Sequence, residues 1–255
     1  MINAVILTSS KRGTAAHHLP ILARCEHCQI SAVVYNRRER ADKKKFYKRK
    51  LRKALRIGPL AALNGLRMRR WYKQDLQDYL EIRPLDELCR EHNVPYFETP
   101  EINCEETEDC FRKSDAEVGL SLGNGYIRES VFSIPRYGML NIHHELLPDF
   151  QGAQSVIWQL YHGSRTSGYT IHKINRNIDG GAILYREEVP IRFEESLAET
   201  VTHTQADLHG GLGGGAGGGA GPFRGALRAG PAAGGRHKLH HPHHPAVFAY
   251  VPKLS

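Results

Sequence analysis

The chain has 255 residues and a formal net charge of +8. That length suits one full α/β domain, or one domain with a tail, and is enough to bury a sizeable core. No apolar run reaches the ~18 residues of a membrane-crossing helix, and the five cysteines, an odd number, do not make a secreted disulfide framework.

Met1 to Leu7 carries no basic leader and reads as a buried first strand, not a signal peptide, so a cytoplasmic setting is expected. Residues 4–8 and 30–34 are short β-branched runs, hence predicted strands. Ala15 to Arg24 between them has helical character, interrupted or kinked at Pro20. This is a β-α-β opening and implies a parallel sheet. Ser9-Ser10-Lys11-Arg12-Gly13 after the first strand holds one glycine, so there is no dinucleotide fingerprint and no need for a nicotinamide. It still offers a helix N-terminus to a phosphate. Cys25 and Cys28 form a CxxC without a second ligand pair; we read them as ordinary thiols and expect no metal.

From Arg37 to Lys73 there are sixteen Lys and Arg against Glu39 and Asp42. Within this basic segment Lys43 to Arg56 places Phe46, Tyr47, Leu51, Ala54 and Leu55 at helical spacing, a predicted helix with one apolar stripe. Gly58-Pro59 ends it, and Leu60 to Met68 reads as a shorter helix. A helix then starts at Arg83-Pro84 and ends near His92. Val94 to Phe97 is a short strand, Glu106 to Lys113 a polar helix, and Val118 to Leu122 a strand closed by Gly123-Asn124-Gly125. Met139 to His143 is a strand and Ala153 to Tyr161 a helix. Tyr169 to Ile174 and Ala182 to Val189 are strands joined through Asp179-Gly180-Gly181, and Glu194 to Leu208 reads as a surface helix. The order predicts a Rossmann-like, doubly wound, mostly parallel sheet.

Asn141 and His143 lie two apart on a strand, so their side chains share one face. They sit at its carboxyl end, where open α/β sheets hold ligands. Leu146-Leu147-Pro148-Asp149-Phe150-Gln151-Gly152 follows as a rigid apolar loop, and Asp179 stands in a glycine-rich turn. A carboxamide, an imidazole and a carboxylate suit attack by an amine on a formyl carbon. The carboxamide donates to the developing oxyanion, the imidazole moves protons and the carboxylate orients it. Taken singly, Asn-x-His is more often a satisfied polar pair, and Asp-Gly-Gly a simple turn.

The ordered string is more specific than its parts. Asn141-Ile142-His143, Leu146-Leu147-Pro148, Gly152, Gly168-Tyr169-Thr170-Ile171-His172 and Ile178-Asp179-Gly180-Gly181 together resemble the 10-formyltetrahydrofolate-dependent formyltransferases. The resemblance is strong from about Val118 to Val189, weaker over the first two strands, and absent from 37–73 and beyond Leu208. It implies catalytic roles for Asn141, His143 and Asp179. It implies 10-formyltetrahydrofolate as donor, with Gly125, Tyr126 and Ile127 along one wall of the pterin pocket, largely through backbone. Arg176, Asn177 and Ile178, with Asp179, match the other wall. The family usually has a small residue before Leu-Leu-Pro. Here it is Glu145, preceded by His144; it either meets an ammonium or hydroxyl of the acceptor or faces solvent. His172 has a spacing that faces the site, and we read it as a packed or solvent-facing histidine.

The expected domain is 1–209, with the basic insertion 37–73, followed by a low-complexity tail, 210–255. Gly210 to Gly221 is almost all glycine and alanine, and His240-His241-Pro242-His243-His244-Pro245 follows. Such a tail reads as disordered, and a displaced reading frame beyond Leu208 would produce it. The acceptor is an amine, such as an amino-sugar nucleotide or methionyl-tRNA. The alternatives are a formyltetrahydrofolate hydrolase and a polyanion-binding protein with a vestigial site. No obligate protein partner is evident. In methionyl-tRNA formyltransferases a basic insertion in a similar place contacts tRNA, though their C-terminal oligonucleotide-binding barrel has no counterpart here; an anionic membrane surface is the other candidate. If residues 37–73 recruit a phosphorylated acceptor, binding of labelled tRNA or anionic vesicles weakens steeply with added salt. A salt-independent signal in both titrations would remove that role.

Overall fold

The computed structural model describes residues 1–38, 76–152 and 155–212, together with isolated positions between 47 and 63. Most of the predicted basic helices, and the tail from residue 213, lie outside the described residues.

In chain order the elements are β1 (Ile2–Thr8), α1 (Thr14–Leu22), β2 (Cys28–Asn36), α2 (Leu85–Glu91), β3 (Tyr96–Thr99), α3 (Glu105–Lys113) and β4 (Val118–Ser121). They continue as α4 (Glu129–Phe132), β5 (Met139–His143), α5 (Ser155–Tyr161), β6 (Thr166–Lys173), β7 (Ile183–Pro190) and α6 (Leu197–Leu212). The strands form one seven-stranded sheet in the order β3-β2-β1-β4-β5-β6-β7. β1 to β5 run parallel, and β6 and β7 antiparallel. The chain therefore reverses its direction of winding between β1 and β4. That switch point opens a crevice at the carboxyl ends of the strands.

Both sheet faces are covered, as the apolar runs require. Ala4, Val5, Ile6 and Leu7 are wholly buried. Their period of two sends Ala4 and Ile6 into one core, with Ala15, Leu19 and Leu85 from α1 and α2. Val5 and Leu7 enter the other, with Phe111 and Val131 from α3 and α4. β5 alternates likewise: Leu140 and Ile142 join the first core and Met139 the second. Asn141 and His143 are thus directed to the α3/α4 side. Pro20 lies inside α1, which continues past it to Leu22.

The last helix departs from the sequence reading. It starts at Leu197 and continues to Leu212, and it buries Val201, Thr202, Thr204, Leu208 and His209. It is not a surface helix. Its polar composition misleads because two threonines on it are satisfied locally. Thr204 Oγ1 accepts the Arg192 N–H at 3.0 Å, and Thr200 Oγ1 accepts the Glu194 N–H at 2.9 Å. The expected boundary after residue 209 falls within this helix, and Gly211 sits against the buried ring of Tyr169: a Cβ there would stand 3.1 Å from its Cε1.

Four histidines meet where α1 and α6 pack beside the end of β5. The His17 and His18 rings lie 4.9 Å apart, His209 lies 5.3 Å from His17 and 5.7 Å from His18, and His144 lies 4.4 Å from His209. Burial lowers the pKa of His17, His18, His144 and His209, the last to about 4. Between that value and the ordinary 6.5 the unfolded chain binds more protons than the folded one, so stability falls as pH falls. His143, whose pKa is raised, acts in the opposite sense, but it is one group against four. Calorimetry is expected to show a melting temperature at pH 5 lower than at pH 7.5 by at least about 5 °C. An unchanged midpoint would contradict the neutral packing of these rings.

Candidate functional site

The site is built where β5 ends. Strand alternation holds Ile142 in the core and leaves Asn141 and His143 on the opposite face. Thr170 pairs with His143 across β5 and β6 and latches the chain that follows: its hydroxyl donates to the Glu145 carbonyl at 2.8 Å and accepts the Leu147 N–H at 3.1 Å. Leu146 is seated over Gly168, where a Cβ would come within 2.2 Å of Leu146 Cδ2 and 2.3 Å of the Glu187 carbonyl. The loop then carries the Phe150 carbonyl to His143 and Gln151 to the Asp179 carbonyl.

The turn after β6 delivers Asp179. Asn175 shapes it, accepting the Asn177 N–H at 2.9 Å and donating to the Gly180 carbonyl at 3.1 Å. Asp179 itself has φ +49°, a left-handed conformation that aspartate tolerates better than most residues. At Gly181 the backbone passes so close to the Lys173 carbonyl that a Cβ would lie 1.6 Å from its oxygen.

Asn141, His143 and Asp179 are brought together, and His172 joins them. Asn141 Nδ2 lies 3.1 Å from His172 Nε2, His172 Nε2 lies 3.6 Å from Asp179 Oδ1, and Asp179 Oδ2 lies 4.0 Å from His143 Nδ1. Asp179 Oδ2 also accepts the Gly152 N–H at 2.9 Å. His172 Nδ1 donates to the Lys173 carbonyl at 3.2 Å, which leaves Nε2 to accept from the nearer Asn141 amide. The second N–H of Asn141 is then available to an incoming oxygen. Packed but not solvent-facing, His172 is 2% exposed and is part of the constellation; its position on the strand, at a spacing that faces the site, was the sequence signal for this.

His143 Nε2 faces two acceptors, the Phe150 carbonyl at 2.8 Å and Glu145 Oε2 at 3.1 Å. Nε2 therefore carries a proton, and Nδ1, turned toward Asp179, is the nitrogen that titrates. Burial alone would lower the His143 pKa; Glu145, the Phe150 carbonyl and Asp179 outweigh it and raise it above 6.5. Burial alone would raise the Asp179 pKa; the Gly152 N–H and the facing His143 ring act against it, and the pKa lies below 3.8. The arrangement thus provides a hydrogen-bond donor, a proton carrier and an ionised carboxylate around one point. Glu145 does not face solvent: it is 2% exposed, and one of its oxygens is on His143.

The residues matched to a pterin pocket form two stretches near this point. A Cβ added at Gly125 would lie 3.9 Å from Ile102 Cδ1, the Tyr126 ring is exposed, and the Tyr126 carbonyl accepts from Asn103 Nδ2 at 2.9 Å. Ile127 is a core residue, so it offers backbone only. Opposite, Asn177 is fixed by its backbone bond to Asn175, and Ile178 is exposed. Arg176 ties the two stretches together, with Nε and Nη2 donating to Glu129 at 2.9 and 3.0 Å. An exposed ring and an exposed aliphatic chain on tethered walls fit a flat heteroaromatic group. An open depression of about 500 Å³, lined by Asp149, Phe150, Gln151, His162 and Ser164, adjoins the loop over His143.

A polar knot at the switch point went unread in the sequence. Asn124 Nδ2 donates to the Leu7 carbonyl at 2.6 Å and to Ser121 Oγ at 3.1 Å, while its Oδ1 accepts from Ser9 Oγ at 2.9 Å. Asn36 Nδ2 reaches the Thr8 carbonyl at 2.9 Å and also Ser9 Oγ. Asn124 was legible only as a turn residue.

The chain is an α/β protein with a Rossmann-like sheet and this constellation at the end of β5. Residues 98–212 match the family model described as "Formyl transferase". A methionyl-tRNA formyltransferase of Thermosynechococcus vestitus is 32% identical over 130 residues, 49% of this chain and 39% of the relative. The chain thus spans about two fifths of that relative's length. Among solved structures, a phosphoribosylglycinamide formyltransferase from Anaplasma phagocytophilum superposes with a TM-score of 0.55 at 17% identity, covering 82% of this chain and 80% of that one. A formyltetrahydrofolate deformylase from Pseudomonas syringae pv. tomato gives 0.55 at 18% identity, covering 90% and 61%. These two likenesses concern the fold.

Replacing Gly181 with alanine must push the turn off Lys173. A loss of about 1–3 kcal/mol in stability is expected, read by urea denaturation. Wild-type stability in Gly181→Ala would show that the close approach does not hold Asp179 in place.

Proposed function

We propose that the chain transfers a formyl group from 10-formyltetrahydrofolate to an amine. The observation that carries this reading is the closed set of contacts from Asn141 through His172 and Asp179 to His143 at the carboxyl end of β5.

The amine adds to the formyl carbon, and negative charge develops on the formyl oxygen. The second N–H of Asn141 donates to that oxygen and remains neutral toward the nucleophile. His143 Nδ1 takes the proton the amine loses and returns one to the departing folate nitrogen. Asp179, held ionised and anchored by Gly152, keeps the imidazole in place and supports its charged form. Gly125, Tyr126 and Ile127 on one side, and Arg176, Asn177 and Ile178 on the other, hold the pterin of the donor. The amine sits on a phosphorylated acceptor, and residues 37–73 supply the positive charge that recruits it.

The test is purified full-length chain with 10-formyltetrahydrofolate and a panel of amines: amino-sugar nucleotides, methionyl-tRNA and glycinamide ribonucleotide. Folate release is followed by absorbance and the product by mass. A formylated amine is expected, with kcat lowered about 10²–10³-fold in Asn141→Ala. Formate release at the same rate without any amine would replace transfer by hydrolysis. No turnover of the donor under any condition would end the reading.

A further inference from the structure

We propose that Glu145 is a positioning residue that holds the proton on His143 Nε2, so that Nδ1 is the working nitrogen and the imidazolium is stabilised from behind. The inference rests on the reading of His143 as the proton carrier and specifies how this chain sets it.

Glu145 is the second residue after β5, and its backbone is fixed because its carbonyl accepts the Thr170 hydroxyl at 2.8 Å. Its side chain has little freedom and almost no solvent, being 2% exposed overall. Oε2 lies 3.1 Å from His143 Nε2. Oε1 is buried with no hydrogen-bond partner among the described residues. A carboxylate in such a place is costly unless a cation compensates it, and the imidazole is the group within reach. The converse also holds: buried His143 gains a counter-charge that Asp179, 4.0 Å away on the other nitrogen, supplies only in part.

The groups facing His143 fall into two sets. Glu145 and the Phe150 carbonyl meet Nε2, and both are acceptors. Asp179 stands at Nδ1, and the His172 ring is 6.4 Å away, edge-on and in contact with Asn141. His144, next in the chain, packs with His209 on the other side and stays neutral. With Nε2 committed to acceptors, the neutral ring has its lone pair on Nδ1, toward the reacting centre. This is the logic of a carboxylate that orients a catalytic histidine, with the orienting group only two residues further along the chain.

The experiment reads His143 directly in the full-length chain, labelled with ¹⁵N-histidine, by NMR titration. In the wild type the neutral ring is expected to carry its proton on Nε2, with a midpoint above 6.5. In Glu145→Gln, the midpoint is expected to fall by roughly one unit or more, and Glu145→Asp is expected to restore part of the difference. The acid limb of the pH–kcat profile for folate release should move by the same amount. A folded Glu145→Gln protein with an unchanged midpoint overturns the proposal. So does a wild-type ring with its neutral proton on Nδ1, a result that stands even where the variant fails to fold. Because the titration needs no donor or acceptor, it separates failure of this inference from failure of the formyl-transfer reading, which the folate-release assay decides.

Discussion

One carboxylate joins three separate pieces of the chain. Asp179 comes from the turn between β6 and β7, accepts the backbone N–H of Gly152 in the loop after β5, and faces both His143 and His172. That anchor joins the loop carrying Phe150 to the turn carrying Asp179, beside a longer bond from Gln151 Nε2 to the Asp179 carbonyl at 3.4 Å. With it, the Phe150 carbonyl is held against His143 Nε2, and the ring orientation follows. The cost of ordering the turn is met locally by Asn175 and by the close approach of Gly181 to Lys173. The anchor therefore closes a structure that is already nearly formed.

His143 and His144 show how far a single peptide bond can separate two electrostatic fates. Alternation at the strand end sends His143 toward Glu145 and Asp179 and His144 toward the buried rings of α1 and α6. Both are desolvated, and desolvation pushes both toward the neutral form. For His143 two carboxylates reverse the sign; for His144 the neighbours are other histidines, and they reinforce it. The site is thus polarised across the sheet, with the histidine pKa raised on one face and lowered on the other. The neutral set also packs α6 onto the sheet beside the end of β5, so the helix that closes the domain shares its contacts with the strand that presents the site.

Local pattern made much of this legible. Strand β5 was bounded from sequence at Met139 and His143, and the structure has the same limits; the alternation that pairs Asn141 with His143 follows from strand geometry alone. The mostly parallel order followed from the β-α-β opening, where Val5 and Ile6 announce a strand buried on both faces. What stayed hidden depends on partners that only the folded chain brings together. The last helix looked polar because Thr200 and Thr204 find backbone amides at Glu194 and Arg192, which no periodicity reveals. Glu145 read as a surface or substrate-facing carboxylate because charged residues are seldom buried; only the fold places it against His143. His172 was ambiguous for the same reason, and its role follows from Asn141 standing opposite it in register.

The two ends of the His143 ring place different demands on the chain. The Nδ1 side must stay open for a substrate, so its carboxylate stands off at 4.0 Å and is held by Gly152 and not by the imidazole itself. The Nε2 side has no such requirement and is closed at 2.8 and 3.1 Å by Phe150 and Glu145. A ring clamped at one nitrogen and merely flanked at the other keeps its lone pair directed without occupying the space where a proton must be exchanged. That asymmetry follows from placing the histidine at the last residue of a strand. The chain beyond it turns back at once to meet Nε2, while the far turn between β6 and β7 can reach only Nδ1.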